Sequence, residues 1–359
     1  MILRIFSTLL ILSLSTTMSF PFSNFFTTHK GAVLLEKPLN ITFPKDHGAH
    51  EDFTTEWWYL TANLKDEVGK VLGIQWTLFR SSKNNFLSAD NMATKIKNSS
   101  WNDKQVWMGH ATVTSDNFHY FQEKLARGGT GQAGVNGKEF SAWIDDWSFF
   151  GKNDWTELTL KAKGENFEYN LDLQASGPIV LNGEAGYSVK TWDGHSSAYY
   201  SQPFLSVKGK VMAEDQTFLV SGKAWIDREW SSSLLGTEQK GWDWFSLHLN
   251  DLEKLMLFRV RDTNSKDYFS GTLVTKDKGI IKLQNNDFDI TPLAYTFNKN
   301  TGSNIPIKWR VEIPSHKISV ITNAINTDAF NNGLVPYWEG PISFHGSHEG
   351  MGYLEMTGY

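Results

Sequence analysis

Short β runs broken by turn dipeptides, with no long stretch of helical periodicity, constrain this chain most. Segments 71–79, 157–162, 167–173, 217–226, 242–249, 254–260, 307–313 and 317–321 read as strands. Asn136-Gly137, Asn182-Gly183, Asp193-Gly194 and Asn332-Gly333 punctuate them, and such pairs supply the positive φ that tight turns need. Many short strands at this spacing predict an all-β protein of antiparallel barrels or sandwiches with few, short helices. At 359 residues the chain is long for one ordinary core and suits two domains.

An internal echo supports two units. The segment from Trp57-Trp58-Tyr59 to Lys65-Asp66 lies over that from Trp242-Asp243-Trp244 to Asn250-Asp251, and each precedes an apolar run ending in Phe-Arg, at 79–80 and 258–259. The expected division is an N-terminal domain over 28–230 and a C-terminal domain over 231–359. Ahead of them, 1–20 reads as an export signal: one Arg, a short apolar stretch, then small polar residues. The mature protein is then expected in the periplasm or outside the cell, without a stable membrane span after cleavage.

Charge and composition narrow the chemistry. Lys+Arg 34 against Asp+Glu 39 gives a net −5, which argues against a nucleic-acid partner or a polybasic lipid surface. Cys 0 excludes disulfides, zinc–thiolate sites, iron–sulfur clusters and a thiol nucleophile. There is no GxSxG elbow, P-loop or HExxH, and the Gly128-Gly129-Thr130-Gly131 run does not lead into a helix. No cofactor and no metal are expected. Trp 15, Phe 24 and Tyr 11 suit either packed β cores or an apolar pocket.

Strand alternation sorts the candidate residues by face. Glu56 shares a face with Trp58 and Leu60, opposite Trp57 and Tyr59. Asp243 shares one with Phe245 and Leu247, opposite Trp242, Trp244 and His248. A carboxyl among apolar groups gains pKa and becomes a proton donor near neutral pH, or else it anchors a sheet end through hydrogen bonds. Trp225-Ile226-Asp227-Arg228-Glu229-Trp230 suggests an ion network with Arg228 between its flanking acids, or a salt-bridged joint; Arg259 and Arg261 are the expected extra cations. His47-Gly48-Ala49-His50-Glu51-Asp52 could hold a metal, form a hydrogen-bonded loop or relay protons. Tyr337-Trp338-Glu339-Gly340 sets another acid beside aromatics.

Taken in order, Thr55-Glu56-Trp57-Trp58-Tyr59, Tyr199-Tyr200-Ser201-Gln202-Pro203, Trp225 to Ser232, Gly241-Trp242-Asp243-Trp244-Phe245, Tyr337-Trp338-Glu339-Gly340 and Gly352 to Tyr359 resemble the AttH-like and carotenoid 1,2-hydratase family. The resemblance implies two lipocalin-like β domains and an apolar, unsaturated, isoprenoid-like ligand at or between them. It implies hydration of a C=C bond, a chemistry for which Asp243 or Glu56, carboxyls sharing a face with apolar side chains, would supply the proton. Asp227, Arg228 and Glu229 complete the expected catalytic group. Trp57, Trp58, Tyr59, Trp230, Trp242, Trp244, Tyr337, Trp338 and Glu339 would bind ligand, with His50 or Tyr200 placing the water. The alternative is a non-catalytic periplasmic carrier of an apolar ligand, serving an ABC transporter.

Overall fold

The structure, a computed structural model, describes residues 32–82, 103–275, 279–299 and 301–359. The leader-like segment 1–20 lies outside them. Among the described residues there are strands, turns and two short 3-10 turns, Lys45–His47 and Pro314–His316. No helix among the described residues is long and apolar enough to cross a membrane.

The first sheet contains β1 (Thr55–Asp66), β2 (Val71–Ser82), β3 (Gln105–Thr114), β4 (His119–Arg127), β5 (Ala133–Asn136), β6 (Ser141–Ile144) and β7 (Trp147–Gly151). It continues with β8 (Glu157–Lys163), β9 (Phe167–Ala175), β10 (Val180–Leu181), β11 (Tyr187–Val189), β12 (Ser196–Ala213) and β13 (Gln216–Ser233). Its order is β4-β3-β2-β1-β13-β12-β9-β8-β7-β6-β5, with β10 and β11 on β12. β6 comes back against β2, β3 and β4, so the sheet curls into a barrel.

The second sheet contains β14 (Gln239–His248), β15 (Lys254–Asp262), β16 (Tyr268–Thr275), β17 (Gly279–Gln284) and β18 (Asp289–Asn298). It is completed by β19 (Ser303–Ile313), β20 (Ile318–Ala324), β21 (Phe330–Asn331), β22 (Tyr337–Gly346) and β23 (Gly350–Thr357). The order is β17-β16-β15-β14-β23-β22-β20-β19-β18, with β21 on β22. The pairings are antiparallel throughout both sheets, as the hairpin-rich sequence demands.

Burial shows where the barrels meet. β9 alternates strictly, with Phe167, Tyr169, Leu171 and Leu173 inside and Glu168, Asn170 and Asp172 in water. β1 is buried on both faces over nearly its whole length, and so is the later half of β13. On β1 the even residues Trp58, Leu60, Ala62 and Leu64 fill the first barrel. The odd residues Trp57 and Tyr59 instead pack against Trp242, Trp244 and Phe258 of the second. β22 and β23 lie against β2 and β1 there. The approach is close: a Cβ on Gly73 would sit 2.5 Å from the Pro341 ring, so only glycine fits.

Candidate functional site

Between the barrels is a cleft lined by Trp57, Tyr59, Tyr199, Trp242, Trp244 and Tyr337, with Phe79, Met108, Leu234 and Phe258 supplying further apolar wall. The gap between atoms is ≈ 690 Å³, but only ≈ 50 Å³ of it admits the centre of a water molecule. That is room for a few waters or one slender alkene end.

Three carboxyl groups, Asp227, Glu229 and Glu355, open onto this cleft. A fourth, Glu339, stands directly opposite Glu355 across the β22–β23 pair. Lys190, itself buried, bonds Glu229 at 2.9 Å and lies 4.4 Å from the Tyr199 and Phe258 rings. Among the described residues no other cation pairs with these four acids, which leaves three of them without a counter-ion in an apolar joint. Asp227 and Glu339 are buried and Glu355 is half-buried; carboxyls desolvated without a counter-ion favour the protonated form.

Glu355, Asp227 and Glu339 respond accordingly. Burial pushes Glu355 up to about 7, against one hydrogen bond from Trp242 and with help from the charges of Asp227 and Glu229. Trp242 Nε1 donates to its Oε1 at 2.6 Å, and no bond among the described residues engages Oε2. Burial also pushes Asp227 up to about 7, although Ser201, Tyr199 and Trp225 all donate to it. Those bonds are 2.5, 2.7 and 2.7 Å long. Glu339 is raised well above the usual range by burial and by the Glu355 charge. Two ionised carboxylates facing each other across a strand pair would repel, so at least one of Glu339 and Glu355 holds a proton.

The candidates predicted from sequence divide by strand parity. Trp57, Tyr59, Asp227, Glu229, Trp242, Trp244 and Tyr337 line the cleft, with Glu339 one hydrogen bond behind Tyr59, at 2.6 Å. Glu56, Trp58, Arg228, Trp230, His50 and Tyr200 point instead into or across one end of the first barrel. There Arg80 and Arg228 both bond Glu56, and Arg228 stacks 3.9 Å from the Trp58 ring. The expected network of Arg228 with its flanking acids does not form, because alternation puts Asp227 and Glu229 on the other face of β13. Glu56 is also no proton donor: burial would raise it, but the charges of Arg228 and Arg80 and the bond from His50 hold it well below the usual range.

His50 stacks on Trp230 at 3.8 Å and bonds Asp46 at 3.2 Å. His47 stacks on Trp155 at 4.0 Å and bonds the Tyr200 hydroxyl at 2.7 Å. The histidine-rich segment is therefore a hydrogen-bonded strap over the barrel. Neither His50 nor Tyr200 reaches the cleft to place a water there. Trp338 fills the second barrel.

Asp243 also faces the second barrel, and it is not among the residues lining the cleft. Burial raises its pKa against the charges of Arg261 and Arg259. Tyr359 donates to it at 2.8 Å and the arginines stand 3.6 Å away. Arg259 and Arg261 thus serve Asp243 rather than the β13 acids. Glu56 on Arg80 and Asp243 on Arg259 are equivalent cross-strand pairs, one in each barrel. Sequence reasoning missed Glu355. It lies on the same strand face as Tyr353 and Thr357, and its pairing with Trp244 joins strands over a hundred residues apart.

The family model for AttH-like proteins matches residues 35–359. The chain belongs to the AttH-like family. Among solved structures, an AttH-assigned protein of Nitrosomonas europaea superposes with a TM-score of 0.79 at 29% identity, over 91% of this chain and 99% of that one. Kievitone hydratase from Nectria haematococca follows with 0.66 at 12% identity, over 92% and 95%. CghA with Sch210972 gives 0.55 at 9% identity, over 92% and 97%. The last two likenesses establish a common fold. No curated protein matches this AttH-like chain by sequence.

Proposed function

We propose that the protein is a hydratase that adds water across a C=C bond of an apolar, isoprenoid-like ligand held in the cleft between its barrels. The observation that carries this reading is Glu355: a carboxyl whose pKa is pushed up to about 7, with one oxygen free of protein hydrogen bonds, among indole rings. The Glu355 proton goes to the less substituted alkene carbon, and the π pair forms the new C–H bond. The cation left on the neighbouring carbon is sheltered by the faces of Trp57, Trp242 and Trp244 and by the charge available at Asp227. Water then attacks that carbon, and its proton passes to a cleft carboxylate, which restores the proton count. One fold relative is itself named a hydratase.

The test is incubation with a panel of isoprenoid polyenes in ¹⁸O-labelled water, read by mass spectrometry. The wild type should add one labelled water, and Glu355→Gln should slow this by about 10²-fold or more, the usual scale for losing a general acid. Undiminished hydration by Glu355→Gln would remove the acid role. Binding of a polyene without any addition would leave the other reading, a non-catalytic carrier serving a transporter.

A further inference from the structure

Among the described residues, Glu229 is the one cleft acid with a cation beside it. Strand β13 pairs it with Trp57 on β1 and Tyr199 on β12, so its carboxyl stands between an indole and a phenol on the cleft face. Lys190 Nζ lies 2.9 Å from Oε1, with both side chains buried, and Ser197 donates to the same oxygen. No protein hydrogen bond among the described residues engages Oε2.

Lys190 is held from two sides. It follows β11 in a short turn, where its own N–H donates to His195 O at 2.7 Å. At the tip of that turn, Trp192 Nε1 donates to Lys266 O at 2.8 Å and the indole meets the Tyr268 ring edge-on at 5.2 Å. Both partners belong to the second barrel, so the turn bridges the joint. The ammonium then rests 4.4 Å from the Tyr199 and Phe258 rings, where little water screens its charge.

The other acids are differently engaged. Asp227 shares the Glu229 face two residues away, but Ser201 and Trp225 donate to its Oδ1 and Tyr199 to its Oδ2, so donors cover both oxygens. Glu339 sits behind Tyr59 and does not line the cleft. Glu355 is the proposed proton donor. A general base needs a negative charge held in place and a lone pair open to the water it deprotonates. Glu229 has both, because Lys190 and Ser197 fix one oxygen and leave the other clear.

We propose that Glu229 is the general base of the cleft: through Oε2 it orients the attacking water and takes its proton, while Lys190 is the positioning residue that keeps the carboxylate charged. The assignment deepens the hydratase reading and rests on it. Glu355 gives its proton to one alkene carbon, the water oxygen bonds the other, and the proton that water loses goes to Glu229. One water is added, and Glu355 is left ionised with Glu229 protonated. Glu355 is half-buried, so exchange with water in the cleft returns both to their starting states. The Lys190 charge favours release of the proton from Glu229.

The experiment gives the full-length protein squalene and the other linear polyenes of the panel in D₂O, with mass spectrometry of both the alcohol and the recovered alkene. Glu229→Gln should slow alcohol formation by about 10²-fold or more. It should still place deuterium in the recovered alkene, because Glu355 protonates the double bond and the cation collapses back. Glu355→Gln should lose both products. Lys190→Met should move the acidic limb of the hydration pH profile up by about one unit or more, the scale of losing an opposite charge at contact distance. Added formate should restore hydration to Glu229→Ala. Glu229→Gln leaves Lys190 without its counter-ion; if that variant does not fold, Glu229→Gln with Lys190→Met removes both charges and should show the same split. Wild-type hydration by either folded protein, or loss of alcohol and deuterium together, would overturn the base. A wild type that neither hydrates nor deuterates any of the polyenes would overturn the hydratase reading and the base with it.

Discussion

Replacing Glu355 by Gln isolates the cost of holding an acid in the joint. The folded carboxyl titrates at about 7, against an ordinary value of 4.5. The folded state binds this proton more tightly than the unfolded state does. The stabilising contribution is therefore complete below about pH 4.5 and is lost as pH rises through 7. At about 1.4 kcal/mol per tenfold, the loss approaches about 3 kcal/mol by pH 8. Gln mimics the neutral carboxyl and carries no such penalty. Denaturant unfolding of both proteins from pH 4 to 9 should show Glu355→Gln gaining about 3 kcal/mol on the wild type across that range. Asp227 contributes to the Glu355 shift, so the gain should shrink when Asp227→Asn is already present. Parallel pH profiles for wild type and Glu355→Gln would mean the carboxyl is hydrated, and the reasoning from burial would fail.

Glu56→Gln should cost about 3–5 kcal/mol at pH 7, because it leaves Arg80 and Arg228 charged, buried and short of their counter-ion. Since the Glu56 pKa is depressed, that contribution is present above about pH 4.5 and fades as pH falls, the opposite sense to Glu355; thermal unfolding against pH checks it. Asp243→Asn should lower the stability of the second barrel in denaturant while leaving the infrared signature of the cleft acids unchanged, since the side chain faces away from them. Gly73→Val should cost about 1–3 kcal/mol by driving β2 off Pro341, and should increase solvent exchange at the β22 amides.

Much of the fold is legible because alternation is local. Phe167 to Leu173 announces its inward face by itself, and the burial of β1 on both faces over nearly its whole length matches aromatic residues on both, Trp58 on one and Trp57 and Tyr59 on the other. The same parity rule places Trp57 and Tyr59 opposite Glu56 and Trp58. Applied to β13, it would also have separated Arg228 from Asp227 and Glu229. What sequence does not carry is register between distant strands. Glu56 meets Arg80 and Arg228, and Glu355 meets Glu339, only because particular residues are paired across strands. The sign of a buried carboxyl's pKa shift depends on that partner: burial raises both, but two guanidinium groups outweigh it at Glu56, while at Glu339 the facing carboxyl adds to it.

The central claim is that carboxyls in the barrel joint keep their protons into the neutral range. Carbon-detected NMR of ¹³C-carboxyl-labelled Asp and Glu, titrated from pH 3 to 9, tests it directly. The account requires midpoints near pH 7 for Glu355 and Asp227, each missing from its own amide variant. A titration in which both carboxyls lose their protons below pH 5 would contradict it.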